Sequence, residues 1–439
     1  MSYLNRKLGL VENLFEILHD LGAMIEVNAA QIEGPLTPTI LQKALDLVQK
    51  RHPMLQVHMV GLADGTYFQS EGTSKIPLRV IDKQHENQWL EITEEELHQQ
   101  FFGGVEPLCR VTLISPFTSN GISEIIVTFH HAIIDGLSCI NFIHELLAYC
   151  QQIADEKQIP EIATMQLLPP LENLLGSNLN SQKFEDYQEK IDREILTSKL
   201  IIESEALASQ RRTHLINRII SQEMTLKLKE VCKQEKTTIH GALCAAMLLG
   251  TAKIAFPDLP VTLSCGSSVN VRKLCVPEVN HEYIGDFALA VTENHTLEKT
   301  TSFWNLAREC KSKISCSISR GFPIRDKLLN INKDLMIKIS EHQMGRKETV
   351  HISNLGQVKF CNEYELFKIK SLYFAPGIHL VGACLWLGLV TFNEKLFCSF
   401  AHVVPIVSTQ TAELLADSAI ATMEKACIDK LGLTHNYTE

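Results

Sequence analysis

The sequence predicts a mixed α/β chain (α+β layered) organised as two domains. Three observations predict it. The chain has 439 residues, and a domain usually takes about 100–200. Hydrophobic residues make up 45% and charged residues 21%, an ordinary globular balance that leaves apolar material for two cores. Period-two and helical-period segments mix in both halves without the regular rhythm of a parallel sheet.

Asn13 to Leu21 has helical spacing, and Ile25 to Ile32 alternates as a strand does. Gly34-Pro35-Leu36-Thr37 reads as a turn, with Thr37 placed to cap a helix whose apolar face is Ile40, Leu41, Ala44, Leu45 and Val48. Pro53 ends that helix by disfavouring helical geometry at His52. Strands follow near Leu55–Val60, Tyr67–Gln69 and Leu78–Ile81, then a charged helix from Asn87 to Gln99. Val111–Ile114 and Glu124–Phe129 are strong strands, and a helix opens after Gly136 and runs to about Ile153.

Lys157 to Ser198 holds Pro160, Pro169 and Pro170 among Asn and Ser clusters and reads as a linker. Domains over 1–190 and 191–439 follow. The second half predicts strands at His214–Ile220, Val261–Val269, Tyr283–Val291, Thr349–Ile352, Leu366–Tyr373, Leu385–Phe392 and Leu396–Phe400. Its helices are Met224–Gln234, Ile239–Lys253, Thr301–Ile318, Ile324–Ile339 and Gln410–Cys427.

A formal charge of -10 argues against nucleic acid and anionic membranes as main partners, since both are polyanions. Thirteen cysteines, scattered and without a Cys-x-x-Cys pair, read as buried reduced thiols and suit the cytoplasm. The N-terminal stretch carries Glu12, Glu16 and Asp20 where a leader peptide has an apolar core. The run from Leu380 to Phe392 is too short to span a bilayer and reads as buried strands, so no transmembrane segment is expected.

The chemistry concentrates at His130-His131-Ala132-Ile133-Ile134-Asp135-Gly136, between a strand and an amphipathic helix. A neutral imidazole accepts a proton near neutral pH. At a strand end His131 is held by the sheet yet exposed at its edge. Gly136 permits a sharp or φ-positive turn. A lone histidine after a strand is usually structural, but a His-His-x-x-x-Asp-Gly pattern arises by chance in roughly one chain in several hundred. A metal reading is weak, because adjacent side chains on a strand point to opposite faces and His130 and His131 do not readily share an ion. A relay to a Ser or Cys nucleophile lacks a Gly-x-Ser-x-Gly elbow. His240, in an apolar helix, reads as a core residue; His351 and His379 carry no pattern. Lys227, Lys229, Lys233 and Lys236 read as a solvated helix face, with a carrier-binding patch as the alternative.

The His130–Gly136 segment resembles the active-site motif of the CoA-dependent acyltransferase superfamily, which includes condensation domains, plant BAHD enzymes, wax ester synthases and alcohol acetyltransferases. Four further segments are similar, in the expected order. Asn28 to Met59 looks like the opening strand and helix. Thr238 to Ala246 looks like the helix opening the second domain. Asn270-Val271-Arg272 with Ile284-Gly285-Asp286-Phe287 looks like the arginine segment. Ser353-Asn354-Leu355-Gly356 looks like a late strand bridging the domains. The chain looks nearest to stand-alone alcohol acyltransferases of the phthiocerol/phthiodiolone dimycocerosyl transferase type. The Asp-Phe-Gly-Trp-Gly motif of the plant enzymes and the Asn-Asp segment of the wax synthases are not matched.

The resemblance implies two chloramphenicol-acetyltransferase-like domains with an active-site tunnel between them. It implies His131 as general base, a structural His130, a Gly136 that shapes the turn, and an Asp135 paired with Arg272. The implied reaction moves an acyl group from a thioester, acyl-CoA or the phosphopantetheine of an acyl carrier protein, to an alcohol, giving an ester. An amine acceptor giving an amide, and a non-catalytic carrier-binding or partner-binding relative, are the alternatives. No bound cofactor, no metal and a monomer are expected.

Overall fold

The computed structural model describes residues 5–116, 121–176, 197–200, 202–322, 324–358 and 364–432. Its strands are β1 (Asn5–Lys7), β2 (Ile25–Glu33), β3 (His58–Leu62), β4 (Gly65–Gln69), β5 (Leu78–Asp82), β6 (Cys109–Ser115), β7 (Ile122–His130), β8 (Arg212–Ile220), β9 (Val261–Asn270), β10 (Ala288–Leu297), β11 (Arg346–Glu348), β12 (Val350–Gln357), β13 (Lys368–Pro376), β14 (Gly382–Ala383), β15 (Leu385–Phe392) and β16 (Lys395–Val404). The helices are α1 (Leu10–Asp20), α2 (Pro38–Arg51), α3 (Gln88–Glu96), α4 (Gly136–Ala154), α5 (Leu171–Leu174), α6 (Gln222–Gln234), α7 (Ile239–Ala255), α8 (Phe303–Arg320), α9 (Ile324–Leu328), α10 (Lys333–Glu341) and α11 (Thr409–Leu431).

Two sheets organise these elements. The first runs β13-β2-β7-β6-β5 and the second β10-β9-β12-β15-β16-β8. β2 and β7 are buried almost throughout, as strands covered on both faces must be. Helix α4 packs on α2 and β2, while α3 packs on β2 and β7. In the second sheet α7 packs against α8 and α11. Helix α7 is apolar around most of its circumference and is buried accordingly.

The first sheet is completed from the far end of the chain. β13 pairs antiparallel with β2 over Lys368–Pro376 against Glu33–Glu26. The bridging strand is therefore β13 and not the Ser353–Gly356 segment. That segment lies in β12, which is hydrogen-bonded on both sides within the second sheet, parallel to β9 and to β15. The expected domain boundary at 190 falls outside the described residues.

Other differences are local. Tyr283 to Phe287 is a loop and the strand starts at Ala288. The long helix expected from Ile324 to Ile339 is broken into α9 and α10, where Asn332 caps the second piece by accepting from Leu335 N. Thr37 does cap α2, accepting from Ile40 N at 3.2 Å. Among the described residues no single helix is long and apolar enough to cross a membrane. The described cysteines are free and, Cys316 aside, buried.

Candidate active site

Strand β7 ends at His130, a single helical turn carries His131 to Ile133, and Asp135 caps α4. This path separates the two histidines. His130 is fully buried under the sheet. Its Nδ1 accepts from Ala132 N at 3.1 Å, so its Nε2 donates to Glu16 Oε2 at 2.9 Å. The His19 ring packs against it at a tilt, centroids 4.2 Å apart, and burial holds the His130 ring uncharged, with a pKa lowered to about 3.

Glu16, His19 and His130 offer ligand atoms within 4.8 Å of one another. Each ring already has one nitrogen accepting a backbone N–H, from Ala132 for His130 and from Phe101 for His19 at 2.9 Å. The proton between His130 and Glu16 satisfies the remaining pair, so the cluster is complete as a hydrogen-bonded core group.

His131 faces elsewhere. Its backbone N–H is tied to Met24 O at 3.0 Å. Its ring packs on Phe15 of α1, with centroids 4.6 Å apart. The side chain keeps 17% of its surface open, and Nε2 stands 3.5 Å from Glu26 Oε2. Nδ1 is shut away from solvent, so the opening falls elsewhere on the ring. Burial disfavours the imidazolium, but the acidic surroundings, Glu26 foremost, outweigh it and raise the His131 pKa above its ordinary value.

Sequence reasoning missed both of those acids. Glu26 lies on β2, is buried, and accepts from Cys139 Sγ at 3.0 Å and Asn28 Nδ2 at 3.4 Å. The available signal was one acid in the apolar strand Ile25 to Ile32. Asp286 lies in the loop before β10. Its Oδ1 accepts from Ala288 N at 3.1 Å, while Oδ2 is buried without a partner. Burial pushes its carboxyl up to about 8, only partly opposed by His131. A cleft lined by His52, Met54, Ala132, Leu168, Tyr283 and Asp286 opens beside the motif.

Asp135 does not face the cleft chemistry. Oδ1 caps α4 through Ser138 N at 2.8 Å, and Oδ2 accepts from Phe287 N at 2.9 Å. Arg272 Nη1 and Nη2 bind the two oxygens at 2.7 and 3.0 Å. Burial alone would push Asp135 up, but the Arg272 charge and hydrogen bonds hold it below the ordinary carboxylate value. Arg272 also donates to Ser138 Oγ at 2.7 Å and lies 4.6 Å from the Phe287 ring centroid.

Gly136 is not φ-positive; it forms the first residue of α4 with ordinary backbone geometry. What its lack of a side chain allows is approach. A Cβ there would stand 2.6 Å from Leu355 Cδ2 of β12. His240 Nε2 meets Ser267 Oγ at 2.9 Å under α7, a satisfied position away from the motif. Lys229 and Lys233 are exposed on α6, and Lys227 pairs with Glu223 at 2.6 Å.

Similarity to known proteins agrees with this geometry. The condensation-domain model matches residues 21–256, and a model described as the C-terminus of phthiocerol/phthiodiolone dimycocerosyl transferase matches residues 210–362. No curated protein matches the sequence. Polyketide synthase associated protein 5 from Mycobacterium tuberculosis superposes with a TM-score of 0.72 at 14% identity, covering 97% of this chain and 98% of that one. A trichothecene 15-O-acetyltransferase from Fusarium sporotrichioides gives 0.74 at 11% identity, covering 97% and 95%. The epimerization domain from the third module of tyrocidine synthetase B gives 0.71 at 14% identity, covering 98% of each. With more than half of its length matched by one model, the chain belongs to the condensation-domain family of acyl-transferring enzymes.

Proposed function

We propose that this enzyme transfers an acyl group from a thioester to an alcohol, with His131 as general base. The observation that supports it most is the separation of the paired histidines. His130 is locked and neutral inside the core, whereas the His131 ring stays partly open, with Nε2 beside Glu26.

The acceptor hydroxyl gives its proton to His131 Nε2 as its oxygen attacks the thioester carbonyl. An alcohol is almost fully protonated at neutral pH, so this assistance is typically worth about 10²–10⁴-fold. Glu26, 3.5 Å from Nε2, offsets the charge on the imidazolium. The leaving thiolate takes the proton, and no acyl-enzyme on His131 is formed. Asp286 keeps its proton at neutral pH, with Oδ2 buried beside the cleft. The donor is acyl-CoA or a phosphopantetheine-borne acyl group on a carrier protein. The match to the condensation-domain model supports a second reading, amide formation with an amine acceptor.

The test is mass spectrometry of products from a mixed panel of acyl-CoAs, acyl carrier protein thioesters, alcohols and amines. Ester products that disappear with folded His131→Ala support the first reading. Amide products alone support the second, and turnover retained by His131→Ala rejects His131 as the base.

A further inference from the structure

The second half of the chain carries a second set of chemistry-bearing residues. Strand β9 places Ser264, Gly266, Ser268 and Asn270 on one face by its period of two. Asn270 Oδ1 accepts from Arg272 N at 3.1 Å, so this face leads directly to the Arg272–Asp135 bridge. The opposite face belongs to the helices, since Ser267 binds His240 of α7.

On the first face Ser268 Oγ stands 3.0 Å from His351 Nε2, and His351 Nδ1 stands 2.7 Å from Glu348 Oε2. Thr292 Oγ1 donates to the other Glu348 oxygen. His351 lies flat on Trp386, with an interplanar angle of 12° and centroids 5.7 Å apart. Room for the His351–Glu348 pair comes from Gly266, where a Cβ would stand 2.0 Å from Glu348 Oε2 and 2.2 Å from His351 Nδ1. Phe374 of β13 meets Trp386 edge-on at 5.6 Å, which joins this face to the first sheet. Ser268 is half-buried, and the side chains of His351 and Glu348 each keep 11% of their surface open.

We propose that Ser268, His351 and Glu348 form a nucleophile–base–acid relay and that Ser268 is a second reactive centre, open to acylation by a thioester or activated ester. The three roles are filled in the order such a relay requires: a hydroxyl on the base, and the base oriented by a carboxylate on its other nitrogen. Ser268 Oγ adds to the carbonyl carbon and passes its proton to His351 Nε2. The carbon–sulfur bond breaks, the thiolate takes that proton and leaves as a thiol, and the acyl group stays as an ester on Ser268. Water, deprotonated by the same nitrogen, then frees the acid and restores the serine. The relay goes beyond the transfer reading and does not depend on His131.

The experiment treats the full-length protein with an alkyl fluorophosphonate and maps the modified peptide by mass spectrometry. The expected result is one phosphonyl group on Ser268, none in Ser268→Ala, and labelling slowed at least about 10²-fold in His351→Ala. Glu348→Gln, which preserves shape, gives a second reading of the relay should His351→Ala fail to fold. His131→Ala keeps the Ser268 label, which separates failure of this proposal from failure of the transfer reading. No label on Ser268 of the wild-type protein overturns the proposal. So does a labelling rate unmoved by loss of the relay partners.

Discussion

Arg272 and Asp135 are 137 residues apart in sequence, and the guanidinium of one grips the carboxylate of the other at 2.7 and 3.0 Å. Arg272 follows β9 of the second sheet, and Asp135, four residues after His131, caps α4. The pair therefore sets where the base stands relative to the second half of the chain. It is buried on both sides, so removing one partner strands a charge.

Asp135→Asn and Arg272→Ala are each expected to destabilise the protein by about 3–5 kcal/mol, read from denaturant unfolding. Arg272→Lys gives incomplete recovery, because an ammonium does not reproduce a two-pronged contact. The pH dependence follows from the depressed Asp135 value. Its contribution is present above the unfolded carboxylate pKa and is lost as pH falls through the native one. Stability that is flat between pH 5 and pH 2 argues against this pairing.

A second prediction concerns the acid limb of the rate. The base must be neutral, and the neighbouring carboxyl groups raise its pKa after opposing the effect of burial. kcat/KM should therefore fall as pH drops through a value above 6.5. Glu26→Gln removes the nearest negative charge, so the acid limb should move to lower pH. The folded-state stability carried by protonated His131 is present below the unfolded histidine pKa and lost as pH rises through the raised native one. An acid limb that stays in place in Glu26→Gln removes Glu26 from the electrostatics of the base.

Asp286 supplies a third test with the opposite sign from Asp135. Burial raises its carboxyl to about 8, so the native state holds a proton that the unfolded chain has released. Stability from this group therefore falls with rising pH between the ordinary carboxylate range and about 8, at up to about 1.4 kcal/mol per pH unit. Asp286→Asn keeps a hydrogen-bond donor at this buried position without the ionisation. The variant should be the more stable protein at pH 8, and its kcat/KM should lose any decline between pH 7 and 9. A wild-type advantage in stability at pH 8 contradicts the assignment.

Much of this was legible in the chain. The β-branched apolar run of Glu124 to Phe129 and the apolar face of the following helix locate β7 and α4, because such patterns are local. Thr37 and the Pro53 stop were readable for the same reason. The crossover of β13 to pair with β2 was not, since a pairing between residues hundreds apart leaves no local mark. Glu26 and Asp286 were missed on the same ground. Their importance comes from sharing His131, a neighbourhood that only folding creates. Ser268, His351 and Glu348 come from three different strands, so no elbow motif announces them.

Gly136 shows how a correct residue can carry the wrong reason, and it yields the fourth prediction. The sequence suggested a sharp or φ-positive turn, yet the backbone there is ordinary helix. The constraint is the 2.6 Å that would separate a Cβ from Leu355 Cδ2. Leu355 Cδ2 is the far end of a flexible side chain and can move aside, so Gly136→Ala should cost no more than about 1 kcal/mol through overpacking. That cost opposes the gain in helix propensity of up to about 1 kcal/mol that alanine offers over glycine. Leu355→Ala clears the space, so the double variant should lose less than the sum of the two single variants. A double-mutant cycle on urea unfolding measures the coupling. Additive effects place the constraint somewhere other than Leu355.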